Sequence, residues 1–217
     1  MDKVNDFFAT HGSELLIKTG EHLYISVAAI IIGVIVAVPL GVFLARIPKF
    51  ADRFISFIGI LQTIPSLAIL AFFIPLLGIG KFPAIIALFF YSVLPILRNT
   101  YIGVQGVDKS VLEAGKGMGM TKMEATVKIE LPLALPVIMA GIRLATVYLI
   151  GWATLASFVG GGGLGDFIFD GLNLYQPSLI IAGTVPATII ALLAGCVLSV
   201  IERKLMPKGL KGTYQTS

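Results

Sequence analysis

Long apolar stretches separated by shorter polar ones dominate this chain of 217 residues. Five apolar runs, at about residues 23–45, 54–77, 82–104, 133–159 and 178–201, each exceed the roughly 20 residues that a helix rising about 1.5 Å per residue needs to cross a hydrocarbon core about 30 Å thick. The pattern predicts an all-α integral membrane protein, a single domain over residues 1–217 with about five transmembrane helices. Pro39, Pro65, Pro75, Pro95, Pro136 and Pro186 fall inside the runs and interrupt the helical ladder, while Ala37, Gly41 and Ala45 form a small-residue stripe that admits close helix packing. Helices of this kind hinge and need neighbours.

The longest polar segment between two apolar runs covers residues 105–132. Ser110 with Glu113, and Thr121 with Glu124, have the S/T-x-x-E spacing of a capping box, which predicts two short helices. Gly115, Gly117 and Gly119 place the break between them, since each interior glycine costs a helix about 0.8–1 kcal/mol relative to alanine. Met120, Met123, Val127 and Leu131 recur at helical spacing and give the second helix an apolar face suited to a groove. Pro132 disfavours helical geometry at Leu131, so the chain is expected to turn there into the fourth run.

Within this segment Glu113, Ala114, Gly119, Ile129, Leu131 and Pro132 stand at the spacings of the EAA loop, E-A-A-x3-G-x9-I-x-L-P, of permease subunits of ATP-binding-cassette importers. One position departs: Gly115 replaces the second alanine, which loosens the first short helix and keeps the glycine turn. The resemblance implies a coupling loop that docks on a cytoplasmic ATPase, within the type I importer fold of the methionine-importer kind.

Composition agrees with a membrane protein, with 57% hydrophobic and 13% charged residues and a mean hydropathy of +0.96. The net charge of +4 is distributed as topology and not as a nucleic-acid footprint. Arg46, Lys49 and Arg53 follow the first run, Lys109, Lys116, Lys122 and Lys128 the third, and Arg203, Lys204, Lys208 and Lys211 the fifth. The other faces hold Lys3, Lys18 and Lys81. By the positive-inside rule residues 1–22 are extracellular, and the 105–132 loop and the 203–217 tail are cytoplasmic. Asp2, Asp6, Glu14 and Glu21 give the amino terminus the wrong sign for a signal peptide, so no cleavage is expected. Phe7, Phe8, Leu15 and Leu16 suit a segment lying along the membrane surface. A single cysteine, Cys196, excludes an internal disulfide, no metal site is expected, and His11 and His22 read as interfacial polar residues.

Polar groups inside the runs are few. Gln62, Thr63 and Ser66 surround Pro65 and either line a translocation pathway or recapture backbone groups that the proline frees. Arg143 either snorkels to the interface or is a functional buried charge. Gly160, Gly161, Gly162, Gly163 and Gly165, followed by Asp166, formally fit G-x-G-x-x-G. No strand precedes them, which removes a dinucleotide site and leaves an outer gate or a docking surface. A similar glycine loop occurs in methionine-type importer permeases. The chain has no Walker A sequence, nucleophile elbow or HExxH, so it is not expected to be an enzyme or to bind a cofactor. It also lacks the intramembrane carboxylate of an ion-coupled secondary transporter, which is the rival reading.

Over nearly its whole length, in the blocks TGEHLYIS, FFIPLLGIG, FFYSVLPILRNTY and GLNLYQP, the sequence resembles osmoprotectant importer permeases of the glycine betaine, carnitine and choline type. That resemblance implies uptake of quaternary ammonium solutes, with methionine as the alternative cargo. It further implies ATP and Mg on separate ATPase subunits, an extracellular solute-binding protein, and a second permease copy or paralogue completing a dimer in the cell membrane. Tyr148 and Trp152, one turn apart in the fourth run, offer either a cation–π step for such a solute or aromatic packing.

Overall fold

The computed structural model describes residues 2–206, with side chains from Phe7 onward. Lys208 and Lys211 of the expected tail, and the side chain of Lys3, lie outside the described residues. The described chain is helical throughout: α1 (Asp2–Leu44), α2 (Pro48–Leu61), α3 (Ser66–Leu77), α4 (Lys81–Gln105), α5 (Lys109–Gly117), α6 (Lys122–Ala125), α7 (Leu131–Trp152), α8 (Gly165–Asn173) and α9 (Pro177–Leu205). A π-helical turn over Thr126–Glu130 joins α6 to α7, and a 3-10 segment, Ala153–Val159, follows α7. Among the described residues four helices are long and apolar enough to cross a membrane, or five spans if the bent pair α2 and α3 counts as one. The expected all-α membrane architecture is therefore present.

α4 is the central helix, packed between α1 and α7 by small residues. Gly33 leaves room for the Ser92 side chain and Gly41 for Thr100 and the Leu97 carbonyl, and on the other flank Gly141 lies against Asn99 and the Pro95 carbonyl. A Cβ at any of these three positions would stand under 3 Å from its neighbour. Side-chain volume at these crossings is thus what limits how close the helices come. Ala37 and Ala45, the remaining members of the predicted stripe, are buried in the same seam. α9 packs only on α7 and α8 in any quantity and is 6% buried along its apolar window, so its outer face is left for lipid or a partner.

Three local expectations are corrected. The amino-terminal segment does not lie apart along the surface, because α1 runs unbroken for 43 residues and carries the segment past the first span onto α8, where His11 meets the Phe167 ring. The second run is not one straight span, since α2 and α3 meet at 87° around Pro65. Pro132 does not turn the chain, because the backbone N–H of Leu131 bonds the Thr126 carbonyl five residues back. With the ladder stepped to the π register just before it, the proline sits at the start of α7, where a missing donor costs little.

Candidate functional site

The 105–132 segment is built by its caps. Asp108, not Ser110, is the N-cap of α5, and its side chain accepts a 2.8 Å bond from the Ser110 backbone N–H. This corrects the first predicted capping box: a stronger cap two residues upstream captures the orphan donor. That bond holds the Asp108 carboxyl below the usual carboxylate range. The second box forms as expected, with Thr121 and Glu124 bonding each other's backbone N–H.

Between the two helices Gly119 takes φ +82°, with Met120 N–H bonding the Gly115 carbonyl and Gly119 N–H that of Lys116. These two bonds are the Schellman pattern, which closes the end of α5. At Gly115 a Cβ would lie 2.7 Å from Ile129 Cδ1, the flexible end of a side chain, so the glycine brings α5 close to the π turn without being required there. Glu113 and Ala114 face outward from this turn, as do Met123 at 72% and Val127 at 54% exposure. Ile129, Leu131 and Pro132 are half-buried and tie the segment to the bundle. The predicted apolar face is thus open to a partner at Met123 and Val127, whereas Met120 and Leu131 are partly covered.

Sequence reasoning missed the anchor of this segment. Arg46, in the turn after α1, donates from Nη1 to Glu130 Oε1 at 2.7 Å and from Nη2 to Glu130 Oε2 and, at 2.6 Å, to Thr126 Oγ1. Glu130 is 3% exposed. A carboxylate buried to that degree is costly unless paired and hydrogen-bonded, and the guanidinium fork satisfies both its oxygens. The signal was an acid inside the apolar I-x-L-P end of the motif.

The polar patch around Pro65 recaptures backbone. Gln62 donates from its amide to the carbonyls of Phe90 and Tyr91, Thr63 bonds the Ile60 carbonyl, and Tyr91 donates its hydroxyl to Ile64. Ser66 opens α3 beside them. Tyr91 also packs edge-on against Trp152 with centroids 4.6 Å apart, and Trp152 lies 6.1 Å from Tyr148. The break in the second span and the aromatic pair of α7 therefore form one continuous group, with Tyr148 53% exposed at its edge.

Gly161 to Gly165 are buried, and the glycines there admit close approach of neighbouring elements. Gly162 and Gly163 take φ +76° and +86° against Glu21 and His22 of α1, and Gly165 abuts the Thr154 carbonyl. Gly160, at φ +69°, remains exposed and touches Ile79. Asp166 is bound by Lys18 and Ser157, while Glu21 pairs with Lys81 at 2.8 Å and accepts from the Gly163 N–H. This ionic clasp joins α1, the start of α4 and α8. His22 is fully buried beneath it, with Nε2 3.0 Å from the Ile150 carbonyl, which corrects its reading as an interfacial residue. Arg143 lies 3.3 Å from Glu202 near the end of α9, so it is ion-paired.

Residues 37–209 match the family model described as binding-protein-dependent transport system inner membrane component. The glycine betaine/carnitine/choline transport system permease protein OpuCB of Bacillus subtilis (strain 168) is 65% identical over 217 residues, covering 100% of both chains. The choline transport system permease protein OpuBB of the same strain is also 65% identical, again over 100% of both chains. Among solved structures, an inward-facing form of the MetNI methionine ABC transporter matches with a TM-score of 0.81 at 23% identity, covering 89% of this chain and 96% of that one.

Proposed function

The chain belongs to the family of binding-protein-dependent transport inner membrane components, and from that membership we propose that it is the permease subunit of an ATP-driven importer of quaternary ammonium compatible solutes, namely glycine betaine, carnitine or choline. Its fold is the methionine-importer-like type I permease fold. The observation that carries the cargo is the 65% identity to OpuCB along the entire chain. The chain is a transport subunit and not an enzyme. ATP and Mg belong to a separate cytoplasmic ATPase, onto whose surface Glu113, Ala114, Met123 and Val127 dock.

In this reading the side of the membrane that holds Arg46, Lys109, Lys122 and Arg203 is cytoplasmic, the amino-terminal end of α1 and the ionic clasp are outside, and a solute-binding protein delivers cargo above the clasp. The buried glycine strap fixes that outer surface, and Gly160, Asp170 and the α8–α9 turn offer the binding protein its contacts. A second permease, identical or paralogous, covers the open face of α9 and encloses the pathway. Gln62, Thr63, Ser66 and Tyr148 border it, with Trp152 behind them. A solute with a permanent, weakly hydrated cation passes such aromatic and amide surfaces without a carboxylate partner.

The test is a transporter-null cell under high salt, complemented with this permease, its ATPase and its binding protein. Growth rescue by glycine betaine, carnitine or choline that disappears when the ATPase is inactivated supports the assignment. Uptake of methionine with none of these three solutes taken up would sink the cargo and leave the permease role standing.

A further inference from the structure

One guanidinium pins both ends of the π turn. Arg46 bonds Thr126, the first residue of the turn, and Glu130, its last, and the Thr126 hydroxyl in turn donates to the Lys122 carbonyl in α6. The α6–α7 connection is otherwise an uninterrupted helical rod with a single weak point. Hydrogen bonds in a π turn step five residues instead of four, and such turns are rare, short and frequent at functional sites. A push on α6 therefore has two outlets. It either moves α7 as a rod or is absorbed by a register change within residues 126–130.

Arg46 joins both ends of the turn to a second part of the fold. Its backbone lies in the short connection where α1 ends and α2 begins, 84 residues away in sequence from Glu130. The guanidinium thus links the coupling segment to the ends of two helices that do not adjoin it in the chain. Arginine suits this task because its fork engages both carboxylate oxygens and the hydroxyl in one plane, which a lysine ammonium cannot do. Lys116 and Lys122 border the same recess but do not ion-pair with Glu130 among the described residues.

We infer that Arg46 is a positioning residue for energy coupling: the Arg46–Glu130–Thr126 clamp locks the π turn so that displacement of the ATPase-docked segment is delivered together to α7 and to the α1–α2 corner. This rests on the importer reading. Without the clamp, ATP is still hydrolysed on the partner subunit, and the stroke dissipates in the turn.

The test uses the complete complex of permease, ATPase and loaded binding protein in proteoliposomes, with solute taken up per ATP hydrolysed as the readout. Arg46→Gln and Glu130→Gln lower that ratio by about fivefold or more, the lower range of a site-to-site coupling. Arg46→Lys recovers part of it. Thr126→Val, nearly isosteric and leaving the ion pair intact, lowers the ratio less and guards against variants that fail to assemble. A merely structural role would reduce uptake and ATP hydrolysis in proportion, and an unchanged ratio in the assembled Thr126→Val and Glu130→Gln complexes overturns the clamp. A wild-type complex without solute-driven ATP hydrolysis would overturn the importer reading and the clamp with it.

Discussion

The hydroxyl of Tyr91 donates a 2.8 Å hydrogen bond to the carbonyl of Ile64, the residue that precedes the proline N-cap of α3. Pro65 disfavours helical geometry at Ile64 and supplies no donor, so carbonyls before the break lose their usual partners. Tyr91, together with the Gln62 amide reaching back to α4, fixes the break at its 87° angle.

Tyr91→Phe keeps the ring contact with Trp152 and removes only the donor, at an expected cost of about 1 kcal/mol. Tyr91→Leu loses the ring contact as well and is more damaging. Thermal unfolding in detergent orders the three proteins as wild type, Phe, Leu. A Phe variant as stable as wild type would show that the bend does not depend on this bond.

Two glycines that each leave a Cβ less than 3 Å from a neighbour predict different outcomes, because the neighbours differ. At Gly165 an added Cβ stands 1.9 Å from the Thr154 carbonyl oxygen, a backbone atom, and Gly165→Ala is expected to cost about 1–3 kcal/mol by overpacking. At Gly115 the obstacle at 2.7 Å is the flexible end of Ile129, and alanine gains helix propensity of up to about 1 kcal/mol, so Gly115→Ala is near neutral. Comparable melting temperatures for the two variants would contradict this division.

A Cβ added at Gly119 would meet no heavy atom within 4 Å, yet the residue holds φ +82°, so its substitution is limited by backbone conformation alone. Gly119→Asn, which tolerates the left-handed region, retains most ATPase association. Gly119→Val, β-branched, incurs the full penalty of at least about 1–2 kcal/mol and loses association and uptake while staying in the membrane. Co-purification of the ATPase with each variant decides it, and equal recovery with Asn and Val would remove the turn from the docking surface.

What the sequence made legible follows from the range of the interactions concerned. α1, α4 and α9 were readable because an apolar run of sufficient length has few alternatives in a bilayer. The Thr121–Glu124 cap and the Gly119 turn were readable because both close within a few residues. Local rules failed where a competitor intervened: Asp108 displaced Ser110 as a cap, and the π turn absorbed Pro132. Arg46 looked like a topology marker because its partner Glu130 is 84 residues away. The clasp of Lys18, Glu21, Lys81 and Asp166 was hidden for the same reason, since it assembles only when α1 runs on past the span.

Ser13 and Ser110 are both exposed and lie on opposite sides of the membrane in the proposed orientation. In a Cys196→Ala background, Ser13→Cys reacts with an impermeant thiol reagent in whole cells and Ser110→Cys reacts only after lysis. Labelling in the reverse order would invert the assignment of the clasp to the outer face.

Tyr148 and Trp152 differ in what they can offer a passing cation. Trp152 is engaged by Tyr91 at 4.6 Å, so its ring is largely committed to packing, whereas Tyr148 is 53% exposed and has a free face. An exposed cation–π contact contributes about 0.5–1 kcal/mol, which converts to about a two- to fivefold effect on uptake of a quaternary ammonium solute. Tyr148→Phe preserves the ring and is expected to transport normally, while Tyr148→Leu preserves bulk and loses that factor in uptake at limiting solute. Trp152→Leu instead lowers thermal stability, since it removes a neighbour of Tyr91 in the core. If the Phe and Leu variants of Tyr148 transport equally, the ring is packing or lipid-facing, and the pathway borders only the amide and hydroxyl groups around Pro65.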